Sequence, residues 1–283
     1  MKVLVTGATG YIGSHLVKKL ADGGHEVYAT DFNLKQNDIS KYIVGDVIPW
    51  DIRIPTFIGN YDAVVHLAAL AMVSRSVKMP ATYYRTNLFG TENVLSATRT
   101  DNFVYCSTGS AFQPGSSPYA GSKRAGEDLV TLLPNYSIAR FYNVCGNDGF
   151  HKFDDSHYHL VRKLAAVANG LYPEIEIYGT DYDTRDGTTI RNYTHVTDIV
   201  DCLINLVENG PTNNIECLGS TTGSSVLEVV SAMENVIDKP INKVYCDRRP
   251  GEVVTSVLPE VSNFFTETKT LEDICKSALE YEK

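Results

Sequence analysis

The chain has 283 residues, 43% of them hydrophobic and 21% charged, enough to bury a full core as one large α/β unit or as two lobes sharing a crevice. Its formal net charge of −9 argues against nucleic acid as a partner, because phosphate backbones are bound through clustered Lys and Arg. Six cysteines without a Cys-x-x-Cys spacing predict buried thiols in a reducing, cytoplasmic setting, and the absence of any apolar run long enough for a bilayer span or a secretory signal core predicts a soluble, unprocessed chain that does not engage a membrane.

Lys2–Thr6 is a short apolar run that predicts a strand, and a glycine-rich turn follows it. Ile12, Leu16 and Leu20, at four-residue spacing, predict a helix that ends at Gly23-Gly24. Further strands are expected at Glu26–Thr30, Tyr42–Val44, Ala63–Leu67, Phe103–Cys106 and Ser137–Phe141, with helices at Ala81–Thr98 and Gly121–Leu133. Buried-type strands alternating with helices predict an α/β fold with a doubly wound parallel sheet of the Rossmann kind, here a dinucleotide-binding domain over residues 1–145. Later segments are polar and rich in His and Asp, with a helix expected from Ser156 to Ala168 and short elements punctuated by Gly and Pro. Residues 146–283 are expected to form mainly a smaller C-terminal substrate-binding lobe, with the chain rejoining the first domain over about 196–210 through a helix at Thr197–Glu208.

Gly7-Ala-Thr-Gly10-Tyr11-Ile12-Gly13 places three glycines between the first strand and the first helix. That spacing permits a tight turn, close approach of backbone to a pyrophosphate and close helix packing, while the helix N-terminus supplies oriented N–H groups and partial positive charge. Asp31 stands 18 residues after Gly13 at a strand end, where a carboxylate accepts from an adenosine ribose hydroxyl and repels a 2′-phosphate, so NAD is favoured over NADP. Lys35 is one flexible charge that softens this preference. Asp46 and Val47, expected just after the third strand, offer a contact to the adenine amino group, and Leu67, Ala68, Ala69 and Ala71 after the fourth are small or apolar where backbone must approach a cofactor. Plain loop chemistry and packing account for these two segments equally well.

Tyr119-Ala-Gly-Ser-Lys123 pairs a phenol with an ammonium on one helix face. A tyrosine with a reference pKa of about 10 needs help to act as a base. A lysine about 4 Å away, at an effective dielectric of about 20, favours the phenolate by roughly 4 kcal/mol, or about three pKa units. Lys123 would also reach the nicotinamide ribose, and Thr108, at the end of the strand Phe103-Val-Tyr-Cys-Ser-Thr108, would hold the substrate oxygen against Tyr119. A strand-end threonine is more often a cap, and a helix tyrosine is often only half-buried packing.

Together these residues resemble the extended short-chain dehydrogenase/reductase family, and within it the UDP-glucose (UDP-galactose) 4-epimerases. The resemblance runs almost end to end. It is carried by Val3-Leu-Val-Thr-Gly-Ala-Thr-Gly-Tyr-Ile-Gly-Ser-His15, Ala139-Arg-Phe-Tyr-Asn143-Val, Ile177-Tyr178-Gly-Thr-Asp-Tyr-Asp-Thr-Arg-Asp-Gly-Thr, Ile190-Arg191-Asn-Tyr-Thr-His195-Val and Arg248-Arg249-Pro-Gly-Glu252. It implies Thr108, Tyr119 and Lys123 as the catalytic trio, with Tyr142 and Asn87 near the nicotinamide half and Thr86 an alternative to Asn87. For a UDP-sugar it implies Asn143 at the pyrophosphate, His159 and Leu160 opening a nucleotide-facing helix, Glu176, Ile177 and Tyr178 along the uridine, Arg191 and Arg249 on the phosphates and Glu252 on a ribose hydroxyl. A diphosphate calls for forked donors, which suits arginine. His157 and His159 lack carboxylate or cysteine partners at metal-ligand spacing, so no metal is expected.

The implied reaction removes hydrogen from sugar C4 to NAD and returns it to the opposite face, with Tyr119 handling the hydroxyl proton. Only ten residues, Gly109 to Pro118, separate Thr108 from Tyr119, fewer than the family usually carries. Dehydratases of the superfamily need an acid pair after the threonine, and decarboxylases a glutamate, whereas this chain has Gly109-Ser110. A related reductase and a non-catalytic NAD-sensing module compete with the epimerase reading. Ser256, where some members carry a bulky tyrosine, leaves room for an N-acetyl group. Relatives commonly dimerise through the helices at Ala81–Thr98 and Gly121–Leu133, so a homodimer is expected.

Overall fold

The computed structural model describes residues 1–34, 38–150, 159–249 and 252–281; Lys35, Ser156, His157 and the Pro250-Gly251 pair lie outside the described residues. The central element is a seven-stranded parallel sheet made of β1 (Lys2–Thr6), β2 (Glu26–Asp31), β3 (Ile48–Pro49), β4 (Ala63–His66), β5 (Phe103–Thr108), β6 (Tyr136–Phe141) and β7 (Ile215–Leu218), in the spatial order β7-β6-β5-β4-β1-β2-β3. The doubly wound parallel fold is thus as expected. Every residue of β4 and β5 is buried, which explains why these strands read as continuous apolar runs rather than alternating ones. The strand order reverses between β1 and β4, and the loops leaving their carboxyl ends carry Gly7 and Leu67–Ala71. In open α/β sheets that reversal is where ligands bind.

Two compact units partition the chain: Met1–Phe141 with Val200–Leu218, and Tyr142–Ile199 with Gly219–Lys283. The division falls at Phe141 rather than after 145, because Asn143–Cys145 is a separate strand that pairs in parallel with Tyr193–His195 in the second unit. The returning segment runs to Leu218 rather than 210, because β7, a strand the sequence pattern did not suggest, pairs with β6. The expected strand at Tyr42–Val44 does not form. Ser40–Tyr42 is a 3-10 turn, Gly45 takes φ +72°, and Ile48–Pro49 provides the pairing to β2 instead. Asp46 and Val47 therefore precede the third strand, with Asp46 exposed, and do not stand at a strand's carboxyl end.

In the first unit the helix Tyr11–Asp22 buries Gly13, His15, Leu16, Val17 and Leu20. The expected helix at Ala81–Thr98 is Pro80–Tyr84 continued by a π turn, Arg85–Phe89, and then Gly90–Ala97. The helix Pro118–Val130 starts at Ser117, whose hydroxyl accepts from Ala120 N at 3.1 Å, and carries Pro118 in its first turn. Its buried face includes Ser122, Lys123 and Glu127, polar and charged groups that need partners when removed from water. The second unit packs the helices Leu160–Ala168, Val226–Ile237 and Leu271–Tyr281 with strand Ile175–Tyr178 around Val161, Leu164, Ile175, Ile177, Val229 and Met233. Val226–Ile237 opens with a capping box between Ser225 and Glu228. Among the described residues no helix is long and apolar enough to cross a membrane.

Candidate active site

At the strand-order reversal the glycines permit a close approach. Gly7 has φ +68°, and a Cβ there would stand 2.8 Å from Ala68 N; one on Gly13 would stand 2.1 Å from the Gly7 carbonyl oxygen. Above Gly10 the nearest atom to such a Cβ is the Gly7 oxygen at 3.1 Å. Gly10 caps the helix Tyr11–Asp22 with no side-chain hydrogen bond, so no capping side chain competes for the anion-binding end of this helix. Asp31 holds the turn: Oδ2 accepts from Thr9 N at 3.0 Å and Oδ1 from Asn33 N at 3.0 Å, while Thr9 Oγ1 donates to Asn33 O at 2.7 Å. Each carboxylate oxygen keeps a second lone pair for a ribose hydroxyl. The donor set, the open glycine surface and the carboxylate at the end of β2 fit a dinucleotide.

The loop after β4 is fixed by a directed chain of buried hydrogen bonds. Thr91 Oγ1 donates to Asn87 O at 2.7 Å, so it must accept from His66 Nε2 at 3.1 Å; His66 Nδ1 is then the acceptor for Thr6 Oγ1 at 2.7 Å, and Thr6 Oγ1 accepts from Ala68 N at 3.2 Å. Burial, with Lys123 nearby, holds His66 neutral and lowers its pKa to about 3. Asn87, in the π turn, clamps Leu70: Oδ1 accepts from Leu70 N at 2.8 Å, and Nδ2 donates to Leu70 O and Ser122 Oγ, each at 3.0 Å. Its amide braces the loop where the cofactor contact is expected. Thr86 Oγ1, by contrast, is buried with no partner.

Thr108, the last residue of β5, acts on the Tyr119 phenol. Burial raises the Tyr119 pKa, the Thr108 hydroxyl opposes this, and Tyr83, with its ring edge-on at 6.4 Å, adds to the rise. Lys123 takes no part in that balance. Its Nζ donates to Cys106 O at 2.8 Å and sits 4.0 Å from the centre of the Tyr105 ring. Burial lowers the Lys123 pKa to about 8, against the opposing pull of Cys106 and Glu127. A carbonyl and an aromatic face hold the ammonium, and the Tyr119 pKa stands above its ordinary value.

Behind Lys123 lies a constellation that the sequence pattern did not reveal. Glu127, one helical turn on, accepts from Arg140 Nε at 2.7 Å and from Arg140 Nη2 and Ser107 Oγ. Both ion-pair side chains are at most 5% exposed. The usable signals were the Lys123-Arg-Ala-Gly-Glu127 spacing and an arginine inside the otherwise apolar strand Ser137–Phe141.

The nucleotide-sugar candidates in the second unit gather into two clusters. Arg191 and Ser256 are register partners in adjoining strands, Ile190–Arg191 and Thr255–Ser256. Arg191 Nη2 donates to Glu252 Oε1 and Val253 O, both at 2.6 Å, and Nη1 to Ile190 O at 2.7 Å, so the phosphate and ribose candidates are already paired to each other. Asn143 adjoins them, its Nδ2 donating to Asn192 O at 3.1 Å. In the other cluster Lys163 Nζ donates to Glu176 Oε2 at 2.6 Å, and Lys163, Tyr178 and Arg249 together hold the Glu176 carboxyl below its ordinary pKa. Arg249 is exposed and lies 3.8 Å over the Tyr178 ring. Ile177 faces the core, so its side chain is no ligand. His159 is the exposed N-cap of the helix Leu160–Ala168, Leu160 packs against the core, and Tyr142 is half-buried at the start of the unit.

The sequence model of the NAD dependent epimerase/dehydratase family matches residues 3–217. The chain is 32% identical over 289 residues to the UDP-glucose 4-epimerase of Rhizobium meliloti (strain 1021), covering 90% of this chain and 88% of that protein. In three dimensions it matches the UDP-glucose-4-epimerase of Stenotrophomonas maltophila, which holds NAD and formylated UDP-arabinopyranose, with a TM-score of 0.87 at 25% identity over 100% of this chain and 98% of that one. It matches the NAD complex of the Brucella ovis UDP-glucose 4-epimerase with a TM-score of 0.86 at 28% identity, over 99% and 98% of the two chains. A family match over residues 3–217 and a 32% identical relative spanning 90% of the chain settle its lineage: this chain belongs to the NAD dependent epimerase/dehydratase family.

Proposed function

We propose that the protein is a UDP-hexose 4-epimerase that interconverts UDP-glucose and UDP-galactose. The observation that carries this reading is the placement of Thr108 at the carboxyl end of β5, where it acts on the Tyr119 phenol, in a sheet whose β1–β4 reversal carries the glycine turn. Gly7, Gly10, Tyr11, Ile12, Gly13, Asp31 and the braced loop Leu67–Ala71 would hold the dinucleotide, which when bound takes hydrogen from sugar C4 and returns it to the other face through a 4-keto sugar. Thr108 aligns the 4-hydroxyl oxygen, and Tyr119 removes its proton and later gives it back. Because burial raises the Tyr119 pKa, this step needs positive charge beside the ring, which Lys123 supplies if it turns from Cys106.

In this reading Asn143, Glu176, Tyr178, Arg191, Arg249 and Glu252 anchor UDP while the hexose is held loosely enough to present either face. Arg191 must then exchange Glu252 for phosphate. Ser256, half-buried beside Arg191, favours acceptance of UDP-N-acetylhexosamines as well. Free thiols at all six cysteines accord with a cytoplasmic enzyme, and the helices at 80–97 and 118–130 are the faces through which a homodimer would form. The test is purified protein incubated with UDP-glucose, UDP-galactose, UDP-N-acetylglucosamine and UDP-N-acetylgalactosamine without added cofactor, products being separated by chromatography. Interconversion of the first two is expected. Failure to interconvert them even with NAD supplied would refute the proposal, and turnover of the hexoses but not the N-acetyl sugars would remove the role given to Ser256.

A further inference from the structure

Lys123 occupies an unusual place for a charge. It is 3% exposed, its direct partners are the neutral Cys106 carbonyl and the Tyr105 ring, and both lie on β5. A buried ammonium with neutral partners tends to give up its proton. The groups around it offer little compensation. Cys106 has its thiol pushed up to about 12 by burial, Tyr105 has its phenol pushed up as well, and His66 on β4 is neutral. On its own helix, Tyr119 is protonated, and Arg124 is exposed and pairs with Asp128 at 2.9 Å. The carboxylate that acts on Lys123 is Glu127. It lies four residues along the helix, the spacing that stacks side chains on one face, and it is fixed from two strands, by Ser107 on β5 and Arg140 on β6.

We infer that Glu127, clamped by Arg140 and Ser107, is a positioning residue that keeps Lys123 an ammonium in its buried place behind Tyr119. Arg140 serves two ends here. It holds the carboxylate in place, and it offsets part of its charge so that Glu127 does not draw the lysine away from Cys106 into a closed ion pair. The triad Lys123, Glu127 and Arg140 carries a net charge of about +1, so one positive charge remains to act at the reacting centre. That last consequence rests on the epimerase reading, whereas the ionisation of Lys123 does not.

The experiment follows the Lys123 ε-nitrogen by NMR in ¹⁵N-lysine-labelled protein titrated from pH 6 to 10.5, its resonance being identified by its loss in Lys123→Arg. The wild-type midpoint is expected near 8. In Glu127→Gln/Arg140→Gln, which removes both charges and strands neither, the midpoint should fall by about one unit, since a lone charge one helical turn away at an effective dielectric of about 20 moves a midpoint by about two units and Arg140 offsets part of that. Glu127→Asp, which withdraws the carboxylate by one methylene, should give a smaller fall and decides the matter if the double variant does not fold. An unmoved midpoint in the folded variant overturns the inference. A packing role alone would lower thermal stability without shifting this titration. The alkaline limb of the kcat profile with UDP-galactose should shift down by the same amount; if the NMR midpoint moves and wild-type protein shows no turnover, the epimerase reading fails and the inference stands.

Discussion

The two units treat their charged site residues in opposite ways. In the first, Lys123, Glu127 and Arg140 are buried and locked by the sheet, and the groups around Tyr119 are set by fixed partners. In the second, Arg249 and Glu176 stand at the surface, and Arg191 is held by Glu252 and by backbone carbonyls. A reacting centre gains from groups already in place, because they need no rearrangement at the moment of reaction. A binding surface that must take and release a diphosphate gains from donors that can change partners. Substitutions in the first unit should therefore strike chemistry and stability, and those in the second should strike affinity.

The sharpest break of this contrast is Tyr119→Phe. It removes one hydroxyl from a ring that stays packed against Tyr83, so the fold and NAD binding should be unchanged while interconversion drops by about 10³-fold, within the range for loss of a general acid–base group. Residual turnover within tenfold of wild type would show that another group moves the proton. Gly13→Ala comes next. Its Cβ would lie 2.1 Å from the Gly7 carbonyl oxygen and 2.9 Å from Ala8 Cα, backbone atoms that cannot rotate away, so thermal denaturation should register a loss of about 1–3 kcal/mol. The turn must move, and NADH binding followed by fluorescence should weaken with it.

The central strands and the glycine turn were legible because their signals are local: runs buried on both faces, and a spacing of three and three at a strand–helix junction. Short edge strands were not. Ile48–Pro49 is two residues long, and Ile215–Leu218 carries Glu216 and Cys217 in a polar neighbourhood, so neither has a period to read. The candidate trio came from spacing, a strand end and a family resemblance, but Lys123 is held by the Cys106 carbonyl, and a backbone acceptor leaves no trace in side-chain patterns. The bracing role of Asn87 was hidden for a related reason, since its amide bonds the Leu70 backbone as well as Ser122. Arg191 and Glu252 were each named as candidate ligands through the family resemblance, yet their pairing spans 61 residues and depends on a strand register that no periodicity reveals.

Acid stability sharpens the contrast from the first unit's side. His66 has a folded pKa depressed to about 3 from 6.5. Its contribution is complete above pH 6.5 and is lost as pH falls toward 3, because the unfolded chain takes up a proton that the native state refuses. The slope from this group is about 1.4 kcal/mol per pH unit. Urea melts at pH 7, 6 and 5 should show the wild type losing stability more steeply than His66→Asn by about that amount per unit in the lower interval. Lys123 acts at the other end of the scale. Its pKa is lowered to about 8 from 10.5, so its contribution is complete only above 10.5 and falls away as pH drops through 8, and stability from this group rises between those values. Equal acid slopes in the two proteins would mean that His66 is charged in the native state and that the directed chain to Thr6 and Thr91 is broken.

The smallest effects separate the two arginines of the second unit. Arg249 is exposed and rests on the Tyr178 ring at 3.8 Å, an arrangement worth only about 0.5–1 kcal/mol at such a site. Arg249→Met should therefore leave the melting temperature unchanged while weakening UDP binding about tenfold by calorimetry, the loss expected for one charge-assisted contact to phosphate. Its kcat should hold, because the groups it touches are Tyr178 and Glu176. Arg191 has a 16% exposed side chain and ties Glu252 to the carbonyls of Ile190, Val253 and Val254, so Arg191→Met should cost stability as well as affinity, leaving four acceptors without this donor. Loss of kcat in Arg249→Met would place this arginine in the chemistry and erase the division of labour between the units. If instead Arg191→Met weakened UDP binding with no change in melting temperature, the Glu252 pairing would contribute nothing to the folded unit, and Arg191 would be as free to change partners as Arg249.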